Sequence, residues 1–246
     1  MKFGLIGYPL GHSFSKPYFE SKFQREGLFG FEYNNYPLER SDRIPEVLHT
    51  DVLGLNVTIP YKSSVIKYIN DIDATAWSIG AVNTLVRSGA YSWKGYNTDW
   101  LGFRDSLKAW FGDGPVPENA LILGTGGVAK AIRFALSALG IASSSVSSQG
   151  KGDYTYEGLT KRLISDHKLI INATPLGMLP ETERAPFLPY ESVTKDHWLF
   201  DVIYNPANTL FLAHGRQMGA HTLNGLDMLH RQAEHAWSIW KTYGKF

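Results

Sequence analysis

One stretch in the middle of the chain constrains its fold more than any other. The apolar run Ala120-Leu121-Ile122-Leu123 passes directly into Gly124-Thr125-Gly126-Gly127, and a helical pattern opens there with Val128, Ile132, Ala135 and Leu139 on one face. Gly124, Gly126 and Ala129 fit the pattern G-x-G-x-x-G/A. The first glycine makes a tight turn off the strand, the second lets a pyrophosphate approach the backbone, and the small third residue lets helix and strand pack closely. The helix behind them offers N–H groups and a positive dipole end to phosphate. A glycine-rich turn with no ligand carries the same letters. What favours a dinucleotide site is context, because the strand before and the helix after are both present. Thr125, Gly127 and Val128 complete the turn and are assigned to the cofactor with the patterned positions.

Strands and helices alternate on both sides of this turn. In the second half, strand-like runs recur at 145–147, 169–172 and 198–203, and strands alternating with helices imply a parallel, doubly wound sheet. In the first half, 2–6 reads as a buried strand, followed by a loop at 8–15 and a helix containing Phe19 and Phe23. Strands at 31–36 and 54–59 follow, the second ended by Pro60, then a helical stretch over 61–69. The runs 81–86 and 91–96 read as a hairpin across Ser88-Gly89. A helix over 99–111 ends at Gly112-Asp113-Gly114-Pro115. The last helix, 226–243, carries the apolar stripe Leu226, Leu229, Ala233, Trp237 and Trp240. The fold class is therefore α/β with two α/β domains joined near 99–117. The first is 1–100, completed by the C-terminal helix at 225–246, and the second, 101–224, is a Rossmann-like doubly wound dinucleotide-binding domain.

Composition removes several classes of function. With 246 residues, 43% of them hydrophobic, the chain has enough apolar surface for a core in each domain. Its net charge is only +1 and its basic residues are scattered, which argues against nucleic acid as a partner. There is no cysteine, so disulfides, thiol catalysis and thiolate metal sites are excluded. The eight histidines show no paired ligand spacing, and no metal is expected. No apolar stretch is long enough to span a membrane and the first residues lack a signal pattern, so a cytoplasmic protein is expected.

The segment after the second strand of the second domain bears on the choice of dinucleotide. An NAD site places Asp or Glu on the ribose about 20 residues beyond the glycines. Here the chain reads Ser145-Val146-Ser147-Ser148-Gln149-Gly150-Lys151, with no acid before Asp153. Ser147, Ser148 and Lys151 suit a 2′-phosphate, with the Gln149 amide beside them. The competing reading is a solvated polar loop.

If a dinucleotide here passes hydride to a carbonyl, the chain must also grip that substrate and supply a proton to the developing alkoxide. Lys62 opens the helical stretch after Asn56-Val57-Thr58-Ile59-Pro60, where a cation opposes the helix dipole. It reads either as a solvent-exposed lysine or as a proton donor whose neutral form the dipole favours. Asp99 reads as an N-cap or as a carboxylate that orients Lys62 and accepts from substrate hydroxyls. Ser13 and Ser15 precede a helix, where Ser15 could cap and the pair could hold a carboxylate. Asn83, inside an apolar strand, is either satisfied internally or directed at a ligand. Gln232 has Met228 and Leu229 on its apolar side and is expected at a seam.

Taken in order, these segments resemble the shikimate dehydrogenase family along nearly the whole chain. Gly7-Tyr8-Pro9-Leu10-Gly11-His12-Ser13-Phe14-Ser15 is similar to the family's opening loop, and Asn56-Val57-Thr58-Ile59-Pro60-Tyr61-Lys62 to its N-V-T-x-P-x-K motif. Gly80-Ala81-Val82-Asn83-Thr84, Gly95-Tyr96-Asn97-Thr98-Asp99, Asn172-Ala173-Thr174-Pro175-Leu176-Gly177-Met178 and Asp201-Val202-Ile203-Tyr204-Asn205-Pro206 continue the series. Gly225, Met228, Leu229 and Gln232 fit its closing helix. The resemblance implies that Lys62 and Asp99 are catalytic, and that Ser13, Ser15, Thr58, Asn83, Asp99, Tyr204 and Gln232 bind substrate. It adds Thr174, Ile203 and Gly225 to the cofactor residues. It implies an NADP-dependent oxidoreductase of the shikimate pathway to chorismate and aromatic amino acids, reducing 3-dehydroshikimate to shikimate between its two domains. The implied partners are small molecules, with no nucleic acid or membrane, on a monomer or homodimer.

Three features depart from the family, one being that the chain is compact, which implies short loops. Where it often has N-R-T, with Arg on the 2′-phosphate, the chain has Ser147-Ser148-Gln149, which leaves Lys151 to substitute. Trp100 stands where a small residue is common and is expected to narrow the cleft. An NAD-linked quinate/shikimate dehydrogenase, a substrate-binding regulator without turnover, and a generic two-domain dehydrogenase for another small acid are the alternative readings.

Overall fold

The computed structural model describes every residue except His12 and Lys245, so His12 of the opening-loop motif lies outside the described residues. Its contacts divide the chain into two units, Met1–Thr98 with Ala233–Phe246, and Asp99–Gln232.

The first unit is built on β1 (Lys2–Gly7), which is buried along nearly its full length and therefore central. It is followed by α1 (Ser15–Arg25), β2 (Glu32–Pro37), α2 (Ile44–Leu48), β3 (Val52–Val57), β4 (Asp71–Ile72), α3 (Ala74–Ile79), β5 (Thr84–Gly89) and β6 (Ser92–Tyr96). The sheet order is β2-β1-β3-β5-β6-β4. β1 runs parallel to β2 and β3, whereas β5 is antiparallel to β3 and β6. One face buries Ile6, Val57, Tyr61, Val65, Leu85 and Trp93. The other buries Phe3, Phe19, Phe23, Tyr33, Trp237 and Trp240, so residues after 232 supply much of its apolar cover. Each such aromatic side chain contributes roughly 1.5–3 kcal/mol by burial. The indole of Trp240 also donates to the Leu85 carbonyl at 3.0 Å.

The second unit opens with α4 (Asp99–Phe111), then β7 (Asn119–Leu123), α5 (Gly127–Ala138), β8 (Ala142–Val146), α6 (Lys161–Asp166), β9 (Leu169–Asn172), β10 (Trp198–Asp201), α7 (Leu210–Gln217), β11 (His221–Leu223) and the start of α8 (Leu226–Gly244). Its sheet, β11-β10-β9-β7-β8, is parallel throughout. β7 and β9 are buried on both faces, as strands of a covered parallel sheet must be. Ala129, Ile132, Ala135 and Leu136 of α5 pack on Ile122 and Ile171, with Val128 and Leu139 at the edge of that cluster.

Several elements differ from the sequence reading. The stretch 61–69 contains a 3₁₀ helix, Ser64–Tyr68, and Lys62 lies in the turn before it. The hairpin turns at Ala90-Tyr91, because Gly89 pairs with Ser92 and the Arg87 guanidinium holds the Ala90 carbonyl at 2.7 Å. The strand read at 54–59 spans Val52–Val57 and that at 145–147 spans Ala142–Val146. On α8, Met228 is buried and Leu226 is 39% exposed, which places the start of the stripe on Met228. No helix among the described residues is long and apolar enough to cross a membrane.

Candidate active site and dinucleotide cleft

Parallel pairing of β1 and β3 makes the chain leave both strands at the same edge of the first sheet. A Cβ on Gly7 would overlap the Thr58 methyl, so glycine there permits the opening loop to lie against the Thr58 turn. The Tyr8 N–H donates to the Ile59 carbonyl at 3.1 Å and the Thr58 N–H to the Ile6 carbonyl at 2.9 Å, fastening the two segments. The segment carrying Asn83 joins them. Val57 donates to the Asn83 carbonyl at 2.8 Å, and Val82 donates to the Lys62 carbonyl at 2.7 Å. Thr58, Lys62 and Asn83, far apart in sequence, thus share one edge, with half-buried Thr58 and Lys62 and a buried Asn83.

Behind that edge runs a buried polar network. The Asn83 carboxamide oxygen accepts from the Thr98 N–H at 2.6 Å and the Thr84 hydroxyl at 3.1 Å, while its nitrogen donates to the Thr98 hydroxyl at 3.0 Å. Tyr33 donates to the Asn56 carboxamide oxygen at 2.8 Å. Burial pushes the Tyr33 phenol up, opposed by its hydrogen bond with Ser15. Ser15 is the first residue of α1 rather than its cap. Phe14 takes the cap position in a helical conformation, and no side chain caps there. Ser13 differs, since its hydroxyl is buried without a hydrogen-bond partner among the described residues. Lys62 precedes a five-residue 3₁₀ segment, so an α-helix dipole does not act on it as the sequence suggested.

In the second unit, Asp99 is the first residue of α4 and is 4% exposed. Trp100 packs edge-on against Phe134 of α5 with ring centroids 5.2 Å apart, and Arg104 lies over its ring. Its bulk fills the packing between these helices. Gln232, buried on α8, donates to the Leu229 carbonyl at 2.9 Å. A Cβ on Gly102 would lie 2.8 Å from its backbone nitrogen, so α4 and α8 touch there. Tyr204 is half-buried in the segment after β10.

The glycine turn opens a cleft of about 380 Å³. Among its lining residues are Gly124, Thr125 and Gly126 from the turn, Ser147, Ser148, Gln149 and Lys151 from the segment after β8, and Thr174. Gly124 has φ +111, where a side chain would be strained and would press on the Ala173 carbonyl. A Cβ on Gly126 would project into open space at the start of α5, which has no side-chain cap. That open ground beside uncapped helix N–H groups is what a pyrophosphate needs. Gly127, Val128 and Ala129 form the first turn of α5, Ala129 being buried as the pattern requires. The charge balance also fits a phosphorylated ribose. Asp153 is not in the lining; its carboxylate accepts from Ser145 N–H at 2.7 Å and Arg133 at 2.7 Å, which holds its pKa down.

Thr174 is placed by Asn172, whose carboxamide oxygen accepts from the Thr174 hydroxyl at 2.6 Å while its nitrogen donates to Asp201 at 3.1 Å. Asp201 also accepts from Thr209 at 2.6 Å and Ile203 N–H at 3.0 Å. Burial nevertheless pushes its carboxyl up to about 6. Ile203 is buried, and its carbonyl accepts from Gly225 N–H at 3.1 Å, where a Cβ would collide with the Val202 carbonyl. The sequence reading passed over Tyr156, which lines the cleft, and the supporting pair Asp201 and Thr209. A buried acid in the D-x-x-Y-N-P segment was the available signal for that pair; nothing local marked Tyr156.

A parallel doubly wound unit with a glycine turn and an acid-free polar cleft defines the class of dinucleotide-binding α/β proteins, here joined to a second α/β unit. Residues 5–85 match the model of the shikimate dehydrogenase substrate binding domain. The chain is 36% identical to the shikimate dehydrogenase (NADP(+)) of Halothermothrix orenii, over 96% of this chain and 89% of that protein. Among solved structures it resembles shikimate 5-dehydrogenase from Thermus thermophilus in complex with NADP(H) and shikimate, with TM-score 0.86, 26% identity and coverage of 98% and 94%. It also resembles quinate dehydrogenase from Corynebacterium glutamicum in complex with NAD, with TM-score 0.85, 27% identity and the same coverage. The chain belongs to the shikimate dehydrogenase family.

Proposed function

We propose that the protein interconverts shikimate and 3-dehydroshikimate with NADP as the redox partner, within the shikimate pathway. The observation that carries this reading is the convergence of the opening loop, Thr58, Lys62 and Asn83 on one sheet edge, in a chain whose other unit holds an acid-free dinucleotide cleft. When bound, the dinucleotide supplies a hydride to the ketone carbon. Lys62 donates the proton to the carbonyl oxygen and takes it back in the reverse direction. Asp99 accepts hydrogen bonds from substrate hydroxyls, as does Asn83 through whichever of its groups the network leaves to the ligand. The Ser13 hydroxyl, buried without a partner among the described residues, gains one in the substrate carboxylate, with Ser15 and Tyr204 as further donors. Thr58 and Gln232 complete the substrate set. The substrate domain is 1–100, completed by the helix at 225–246, and the cofactor domain is 101–224, so Asp99 and Gln232 both belong to the substrate side.

The deciding experiment is absorbance-followed oxidation of shikimate, with NADP and NAD in parallel and quinate as an alternative substrate. Turnover with NADP and shikimate is expected. The missing arginine after β8 favours one alternative, an NAD-linked quinate/shikimate dehydrogenase, which turnover with NAD or quinate would reveal. Saturable shikimate binding without turnover would make the protein a regulator.

A further inference from the structure

The segment after β8 returns to its own strand. Ser147 N–H donates to the Tyr154 carbonyl at 3.0 Å and Tyr154 N–H to the Ser145 carbonyl at 3.0 Å. Gly152 makes this return possible, since a Cβ there would lie 2.8 Å from the Ser145 carbonyl oxygen. The return carries Tyr156 to the wall of the cleft that Ser147, Ser148, Gln149 and Lys151 also line. The tyrosine ring packs on the apolar cluster containing Leu121 and Val146. Its hydroxyl is buried and has no hydrogen-bond partner.

A hydroxyl shielded from water and left unpaired is disfavoured unless something else selects it. Phenylalanine would serve the packing equally well and avoid that penalty. The neighbouring lining contains hydroxyls, an amide and one lysine, but no carboxylate and no arginine. Such a wall suits a doubly charged phosphate whose usual guanidinium clamp is absent, and a phenol is a good donor to it.

We propose that the Tyr156 hydroxyl is a ligand of the cofactor's 2′-phosphate and thereby a determinant of NADP over NAD, a role that rests on the NADP reading above. Its partner is absent from the protein because it arrives with the dinucleotide.

The test uses 2′,5′-ADP and 5′-ADP as probes, with affinities measured calorimetrically on wild type and Y156F, and thermal midpoints of both unliganded proteins. Wild type is expected to favour 2′,5′-ADP. Y156F is expected to lose roughly tenfold or more of its affinity for 2′,5′-ADP, as for a hydrogen bond to a charged group, with 5′-ADP binding unchanged. Unliganded Y156F is expected to melt no lower than wild type, because the lost hydroxyl had no partner. If Y156F keeps the full preference for 2′,5′-ADP, or melts lower without ligand, the assignment to Tyr156 fails while the NADP reading stands. If wild type binds both probes equally, the NADP reading fails and takes the Tyr156 assignment with it.

Discussion

The backbone of Lys62 is fixed through its carbonyl by Val82, so the side chain starts from a defined position on the sheet edge. Replacing it with alanine removes the proposed proton donor and leaves that backbone contact intact. Steady-state kinetics of Lys62→Ala should show kcat lowered by about 10²–10⁴-fold with KM changed much less; near-normal kcat would remove Lys62 from the chemistry. Asp201 makes a prediction about pH. Burial lifts its folded pKa to about 6, above a carboxyl's ordinary 3.8, so folding favours its protonated form. The stability it contributes is fully present below about pH 4 and is lost as pH rises through 6, a change of about 3 kcal/mol at 1.36 kcal/mol per unit. Urea midpoints of wild type and Asp201→Asn across pH 4 to 7 should differ in slope over that window, wild type gaining stability on acidification and the variant not. At this scale the sequence named the glycine turn and the polar residues after β8 that line the same cleft, because their spacing is local. Of the two readings open for Ser15, the cap falls away, since a cap depends on the backbone angles of Phe14. The sequence could not find Tyr156, whose place in the cleft depends on a strand return that no local spacing records.

At the scale of elements, the contact of α4 with α8 sets where Gln232 sits. Gly102 has no room for a methyl group, which would lie 2.7 Å from the Met228 carbonyl oxygen. Gly102→Ala should push the two helices apart, costing about 1–3 kcal/mol of stability as overpacking does. It should raise KM for shikimate more than it lowers kcat, which kinetics and a denaturation curve together would show. An unchanged KM would separate Gln232 from substrate binding. The long helices α4, α5 and α8 were legible to within a residue or two because each carries a sustained apolar face. The 3₁₀ helix at Ser64–Tyr68 was read as α-helical, since five residues cannot distinguish a period of 3.0 from one of 3.6. The strands Asp71–Ile72 and His221–Leu223 were missed, being too short for alternation to register. β8 was read short because its serines give no apolar pattern.

The whole molecule contains no cysteine, and this has a direct kinetic consequence. Activity should be the same after incubation with N-ethylmaleimide or with excess dithiothreitol; inhibition by the maleimide would point to an amine at the active centre. The division into two α/β units was visible from the alternation of strands and helices and the break at Gly112-Asp113-Gly114-Pro115. Where contacts divide the last helix was not visible, because α8 reads as one uninterrupted pattern while Leu226–Gln232 groups with the second unit and Ala233–Phe246 with the first.

That division has a consequence for synthesis on the ribosome. Residues 99–232 form a contiguous unit whose folding instructions are complete once Gln232 has emerged. The unit made first in time must wait longer, because Trp237 and Trp240 cover Phe3, Phe19 and Phe23. Until the last helix is made, a nascent chain therefore lacks part of the cover over that aromatic sheet face, apolar surface of the kind chaperones bind.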